Sequence, residues 1–517
     1  MHTQGSDKKE TPRPENPKFV PSWDLYALGL LALYIVLQYL RWRMFPLFLD
    51  VYYHLSVMHG FDMAGGYVTH SFWQAAPSGI PHLYPPLLHI IMLTGYKLGL
   101  SDIVIARLLH FLFYPLALFV FWYCIKKLFN ARLAFFVLLF LSVPFSLYLS
   151  FINTTASTLA MLFGMFSFLC AEKGKRIASL LLLACAFYSH ALLSWIFLFT
   201  FILYAVLVRE RRRTYFLVSI AALLCALPIL IHEYTQRAFF SFVYLKENKE
   251  VGIHILIIAL AIGGIVRCAK LKGRYYFFIA LAISFFVFLS QLTYRYVSGE
   301  GMVACALLAG VAFEYLYALS LKRHAHSFAI ATAIAILIFS PTVRFSKGKP
   351  VFLLSQSTLI NLMPQWKSHH GPLELSIWHP RFYREIASLV KGHSREDDIV
   401  YSNFDYFSGA LAILTQRVTS NIMLREVKPV IRLDAVKAAK IIVWLKDASD
   451  APGQPYSLIN KYDLRKVGET ELVYIYENPD PHGKRHIAKP SITLVVIGWI
   501  IALVALFIVF DIRKAPR

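Results

Sequence analysis

Charge is what this 517-residue chain lacks: Asp, Glu, Lys and Arg make up 16% of it, while 57% is apolar and 15% aromatic. Soluble domains carry about 25% charged residues. The shortage excludes an ordinary water-soluble enzyme and a disordered scaffold, because so apolar a chain must sit where charge is penalised. Acids are the scarcer sign, 30 against 52 basic residues, for a net +22. That excess invites a nucleic-acid reading, but the basic residues are scattered over short loops without a contiguous stripe, which argues against that partner. Cysteine is sparse too. The six, at 124, 170, 185, 225, 268 and 305, all fall in or at the ends of apolar runs, so neither disulfides nor a Cys-based zinc site is expected outside the membrane. Repeats and low-complexity tracts are absent. No cleavable leader is expected, since the polar first 22 residues run straight into a full-length apolar stretch.

What is present is a polytopic, mainly α-helical membrane protein. A bilayer core of about 30 Å needs about 20 apolar residues per helix. Twelve such stretches are predicted, near 23–40, 103–125, 133–150, 154–171, 177–189, 191–208, 214–231, 252–268, 275–291, 301–320, 325–341 and 491–510. The apolar run Pro85–Leu100 begins with proline and ends beside Lys97. We read it as a helix at the membrane surface, because a span there would put every later basic loop on the wrong side. With the N-terminus inside, the clusters Lys126/Lys127/Arg132, Lys173/Lys175/Arg176, Arg209/Arg211/Arg212/Arg213, Arg267/Lys270/Lys272/Arg274, Lys322/Arg323 and Arg513/Lys514/Arg517 share the cytoplasmic face with the N-terminal tail. The opposite short turns near Asn153 and His190 carry no basic residue. This positive-inside pattern puts both termini in the cytoplasm. The expected division is a membrane domain over 1–341 with an external loop at 41–102, an external α/β domain over 342–490, and a last span with its tail over 491–517. Period-two runs at Asp398–Ser402 and Lys440–Trp444, with helical patterns at 380–391 and 406–416, carry the α/β expectation.

Asp50 is the sharpest residue for chemistry. It follows the first span by about ten residues and is flanked by aromatics. A carboxylate in such a partly dry setting can have a raised pKa and abstract a proton, or it can hold a metal ion; a solvated loop acid is the plain alternative. The same loop contains His54, His59, His70, His82 and His89. Five histidines so close together suit a metal or phosphate site, with Asp50 and His54 as ligands of a divalent cation such as Mg or Mn, although no pair has the spacing of a zinc-protease helix. Interfacial packing would use the same residues.

The strings Asp50-Val-Tyr-Tyr-His54, His82-Leu-Tyr-Pro-Pro86 and Ile105-Ala-Arg107-Leu-Leu109 together resemble the GT-C class of membrane glycosyltransferases. The first is similar to the acidic motif of oligosaccharyltransferase catalytic subunits. The second is similar to the protein-mannosyltransferase and aminoarabinose-transferase branches. The resemblance covers about 20–340, with an external C-terminal domain as a shared layout. It implies a polyprenyl-phosphate-linked sugar donor bound at the external face and an acceptor glycan, lipid or protein. Asp50 would be base or metal ligand, and Tyr53, His54, His82 and Tyr84 would line the substrate. Arg107 would pair with the donor phosphate or else snorkel to the interface. Arg295, in Thr293-Tyr-Arg-Tyr296, is a second phosphate candidate, and His190, in the turn Tyr188-Ser-His190, either touches substrate or caps its helix.

The chain departs from the pattern at Ser150-Phe-Ile-Asn153, where many relatives have a second acid; Asn153 can ligate through its carbonyl oxygen but brings no charge. It also lacks the Trp-Trp-Asp-Tyr-Gly acceptor motif, which disfavours sequon glycosylation. Two other readings remain open. A transporter or flippase would use Glu314, the one acid well inside a span, for coupling. A catalytically silent glycan-lipid binder would explain Asn153.

Overall fold

The computed structural model describes residues 22–46, 50–241, 251–319, 325–346, 349–354, 356–363, 380–423, 426–429, 431, 433–446 and 454–511. The basic residues of the two tails and the pair Lys322/Arg323 lie outside this set.

Every apolar stretch predicted to span contains helix. Among the described residues, five helical segments are long and apolar enough to cross a membrane: Trp23–Leu40, Asp102–Leu128, Thr155–Glu172, Arg209–Thr235 and Tyr294–Leu319. In chain order the helices up to residue 338 are α1 (Trp23–Leu40), α2 (Asp50–Ala64), α3 (Leu87–Lys97), α4 (Asp102–Leu128), α5 (Ala131–Ser142), α6 (Phe145–Asn153), α7 (Thr155–Glu172), α8 (Arg176–Ser189), α9 (Ala191–Leu207), α10 (Arg212–Thr235), α11 (Ile255–Leu271), α12 (Tyr276–Leu289), α13 (Thr293–Val297), α14 (Met302–Leu319) and α15 (Ala325–Ile338). A terminal helix covers Ile492–Asp511.

The stretch read as one span over 133–150 is two helices. Pro144 lacks an amide hydrogen and sits extended between α5 and α6, so the helical hydrogen-bond ladder stops there. The 252–268 stretch begins as strand β3 (Val251–His254) before turning into α11. Its Gly264 lets two backbones meet, because a Cβ there would lie 2.1 Å from the Leu308 carbonyl oxygen of α14.

The two ends of the bundle differ in chemistry. At one end Lys126 pairs with Asp24 at 2.7 Å, Arg132 with Glu314 at 2.9 Å, and Arg274 with Glu172 at 2.9 Å. Tyr204 and Tyr215 also donate to Glu172. Glu314, the intramembrane acid, is thereby tied to the first turn of α5. The turns at Asn153, His190 and Arg295 gather at the other end, beneath the loop that follows α1.

That loop is structured. It holds α2, α3 and the two-residue strands β1 (His70–Ser71) and β2 (Ile80–Pro81). The run read as a surface helix is α3, eleven residues long, with Ile90 and Ile91 exposed and Leu88 and Met92 buried toward α2. Beyond residue 341, β4 (Thr342–Ser346) pairs with β3 and with β5 (Lys349–Leu353). A five-stranded mixed sheet follows in the order β7-β6-β8-β10-β9, formed by β6 (Ile399–Ser402), β7 (Val418–Thr419), β8 (Ile441–Leu445), β9 (Arg465–Glu469) and β10 (Val473–Glu477). Strands β7, β6 and β8 run parallel, and β10 is antiparallel to both its neighbours. All five residues of β8 are buried, as a strand covered on both faces requires.

This sheet is docked on the α2–α3 loop. The Thr419 amide donates to the Trp73 carbonyl, Ala76 donates to Thr419, and Ala75 donates to Asn421, so residues 73–76 extend the sheet beyond β7. The helix Asp405–Thr415 packs against α2, where the Tyr52 Cβ lies 3.5 Å from the Cβ position of Gly409.

Candidate active site

Asp50 is the first residue of α2 and exposed. One turn on, at the i+4 position that shares its face, His54 is buried and its Nδ1 lies 2.9 Å from His89 Nε2 of α3. Tyr53 is buried beside it, 5.9 Å between ring centroids from Tyr84, and Tyr84 stands edge-on to His54 at 5.0 Å and to His190 at 5.9 Å. Tyr84 is the hub of the site. Burial raises its pKa most; Arg295 lowers it, and Asp50, Glu426 and Glu300 raise it again. The phenol stays protonated and remains a donor.

His190 caps α9. Its Nδ1 accepts from the Leu192 and Leu193 amides at 3.1 and 3.3 Å. An imidazole that accepts at Nδ1 carries its proton on Nε2. Burial first, then the positive charge of Arg295, pushes its pKa down to about 3, so the ring is neutral near pH 7 and presents a single N–H.

Arg295, on α13, is paired. Its Nε donates to Glu300 Oε2 at 3.1 Å and its Nη2 to Glu300 Oε1. Glu300 is only 2% exposed and also accepts from Ser157 Oγ at 3.2 Å and Thr154 Oγ1 at 3.4 Å. Gly301 makes this turn possible, because a Cβ there would meet the Tyr296 carbonyl oxygen at 2.2 Å. Asn153 ends α6 one residue before Thr154, and its Oδ1 is buried without a hydrogen bond among the described residues. An acid is therefore present where Asn153 brings none; it arrives from the turn between α13 and α14. The position between two glycines, five residues after Arg295, was the available signal. Glu426 was also missed. It follows the helix Asp405–Thr415 and is held where Ser241 donates to its carbonyl and Phe240 bridges Val427. From there its charge reaches Tyr53, Tyr84 and Arg295.

Arg107 is used differently. Its Nε donates to the Phe45 carbonyl at 2.9 Å, fixing the chain five residues before Asp50. The loop histidines likewise divide. His59 bonds Asp102 at 2.9 Å and stacks on Trp73, and His70 reaches the Ser78 carbonyl at 3.0 Å. Only His54, His82 and His89 cluster. Among the described residues no three His, Cys, Asp or Glu side chains are arranged to hold a metal ion. His54 Nδ1 is taken up by His89, and its Nε2 is the ring nitrogen left for a ligand.

No protein-family model matches the chain, and no curated protein matches it by sequence. Solved structures do. ArnT from Cupriavidus metallidurans, bound to undecaprenyl phosphate, aligns with a TM-score of 0.52 over 88% of this chain and 98% of its own, at 15% identity. The Archaeoglobus fulgidus oligosaccharyltransferase in complex with Zn and sulfate gives 0.57 over 82% of this chain and 68% of its own, at 11% identity. Archaeal oligosaccharyltransferase AglB from Archaeoglobus fulgidus, in complex with an inhibitory peptide and a dolichol-phosphate, gives 0.53 over 82% and 70%, at 10% identity. A bundle of membrane-length helices, a structured loop after the first of them and a C-terminal mixed sheet thus give this chain the GT-C fold.

Proposed function

We propose that this protein is an integral-membrane glycosyltransferase that moves a sugar from a polyprenyl-phosphate-linked donor to an acceptor at the external face. The observation that carries this reading is the convergence of Asp50, Tyr84, His190 and the Arg295–Glu300 pair at the end of the bundle opposite the basic turns. The positive-inside pattern makes that end external and both termini cytoplasmic.

In this reading the acceptor hydroxyl gives its proton to the Asp50 carboxylate as its oxygen attacks the anomeric carbon. The bond to the phosphate oxygen breaks with inversion, and polyprenyl phosphate leaves. Glu300 occupies Nε and Nη2 of Arg295, which leaves Nη1 for the departing phosphate; Tyr84 O–H and His190 Nε2–H add neutral donors. Arg107 acts at one remove, by fixing the chain that leads to Asp50.

The test is transfer from a polyprenyl-phosphate donor by purified Asp50→Asn protein. Loss of at least a thousandfold with the fold intact is expected; undiminished transfer removes Asp50 from the mechanism. Glu314, on which the transporter reading rests, is paired with Arg132 at the end of the bundle away from the proposed site.

A further inference from the structure

The three-stranded sheet of β3, β4 and β5 is amphipathic in the opposite sense to a sheet in water. Cross-strand partners share a face, and so do residues two apart along a strand. The register sets Ile253, Val343 and Phe352 in one row and Phe345 beside Pro350 in the next, so one face is apolar across the strands. Ile253 and Val343 are half-buried, whereas Phe345 is 45% and Phe352 61% exposed. The other face is polar and bonded to the bundle. His254 is buried, with Nδ1 2.9 Å from Ser340 Oγ and Nε2 3.3 Å from Ser146 Oγ of α6. Ser298, the residue after α13, accepts from the Gly252 amide and donates to the Gly252 carbonyl, both at 2.9 Å. An antiparallel sheet at a water surface turns its apolar face to the core and its polar face out. This one does the reverse.

Two observations identify what covers the apolar face. Strand β3 runs straight into α11, and β4 begins four residues after α15. Ile255 and Phe339, at those two junctions, are 43% and 55% exposed, so the apolar face of the sheet continues the outer surface of two helices read as spans. The second is charge. No acid occurs between residues 315 and 373, while Arg344 and Lys349, toward the hairpin end of β4 and β5, are exposed. Basic residues on an external segment run against the positive-inside bias, and they match the phosphates of a lipid surface.

We propose that β4 and β5 are seated in the outer leaflet of the bilayer, apolar face toward the acyl chains and Arg344 and Lys349 at the phosphates, and that this seating holds the Arg295 turn level with the donor phosphate. The seating stands on the sheet itself; its use rests on the transferase reading. The link is short, because Gly252 belongs to the seated sheet and Ser298, which it grips by two hydrogen bonds, is three residues from Arg295.

The experiment places benzoylphenylalanine at position 352 of the full-length protein, in nanodiscs of equal parts phosphatidylglycerol and phosphatidylcholine, and reads photo-adducts by intact mass. Lipid adducts are expected, with phosphatidylglycerol at least threefold over phosphatidylcholine, and Arg344→Gln with Lys349→Gln should bring the two level. Irradiated protein without lipid adducts overturns the proposal, as does an unchanged lipid ratio in that variant. A covalent dimer in place of lipid adducts overturns it too, since a second copy then covers the face. With polyprenyl-phosphate donor, Phe345→Ser with Phe352→Ser should raise the donor KM at least fivefold and leave kcat within twofold; Phe352→Ser alone serves should the double variant fail to fold. An unchanged KM overturns the placement of Arg295 by the sheet. Lipid capture by a protein that shows no transfer supports the seating while sinking the transferase reading.

Discussion

Replacing Glu300 with glutamine tests how the site holds Arg295. The side chain is nearly isosteric, so volume is conserved, but the Arg295 guanidinium loses the carboxylate that offsets its desolvation. Breaking a buried pair from one side costs about 3–5 kcal/mol. Arg295 is 22% exposed and Glu300 2%, so the glutamine variant falls near the lower figure, about 3 kcal/mol. Arg295→Gln strands a carboxylate that retains the Ser157 and Thr154 hydroxyls, and a similar loss is expected. The double variant strands no charge and should lose less than either single change, about 1–2 kcal/mol. Reversible unfolding in mixed micelles, with a denaturing detergent as titrant, measures all three. Single losses under about 1 kcal/mol that simply add in the double variant would show a solvent-screened pair, and the placement of Arg295 by Glu300 would have to be abandoned.

Gly301→Ala places a Cβ against the Tyr296 carbonyl at 2.2 Å; the turn must shift, so transfer should fall at least tenfold while the far-ultraviolet circular dichroism stays as in wild type. Acid should destabilise the protein through its loop histidines. Burial pushes His54 and His82 down to about 3, whereas the unfolded chain takes up protons near pH 6.5. Protons therefore favour unfolding between those values, and stability present above pH 6.5 is lost as the pH falls. Each histidine contributes about 1.4 kcal/mol per pH unit, so the two together should remove about 3 kcal/mol by pH 5.5. Unfolding measured at pH 7.5 and 5.5 checks this, and equal stabilities would mean that the two rings are hydrated.

Hydropathy made most of the fold readable, because a long apolar run has few alternatives to a helix. It was blind to Pro144, since proline alters the hydrogen-bond ladder without altering mean hydropathy, and to β3, whose Val251 and Ile253 read as the start of the apolar run that becomes α11. Strands β6 and β8 were visible as short runs of β-branched and aromatic residues, although β8 is apolar throughout and does not alternate. Asp50 stood out by contrast with its apolar surroundings. The Arg295–Glu300 pair did not, because a five-residue separation matches neither helix nor strand spacing and only the tight turn at Gly301 brings the two together. The histidines were conspicuous by number, yet which of them meet depends on α3 folding back on α2. The charge of Arg107 was legible too, but the Phe45 backbone carbonyl that its Nε meets is marked by no sequence pattern.

The hydrogen bonds between residues 73–76 and the β7 edge also set a timetable for biosynthesis. More than half of the chain must be made and inserted between the synthesis of Ala76 and that of Thr419. Until then the loop that carries Asp50 has no sheet to complete, and its unpaired amides are exposed to whatever strand comes near. The nascent protein therefore passes through a long interval in which its helices are in place and its site is not. A chain truncated before residue 418 would insert yet never assemble the loop, and the C-terminal sheet made alone would present a bare, sticky edge.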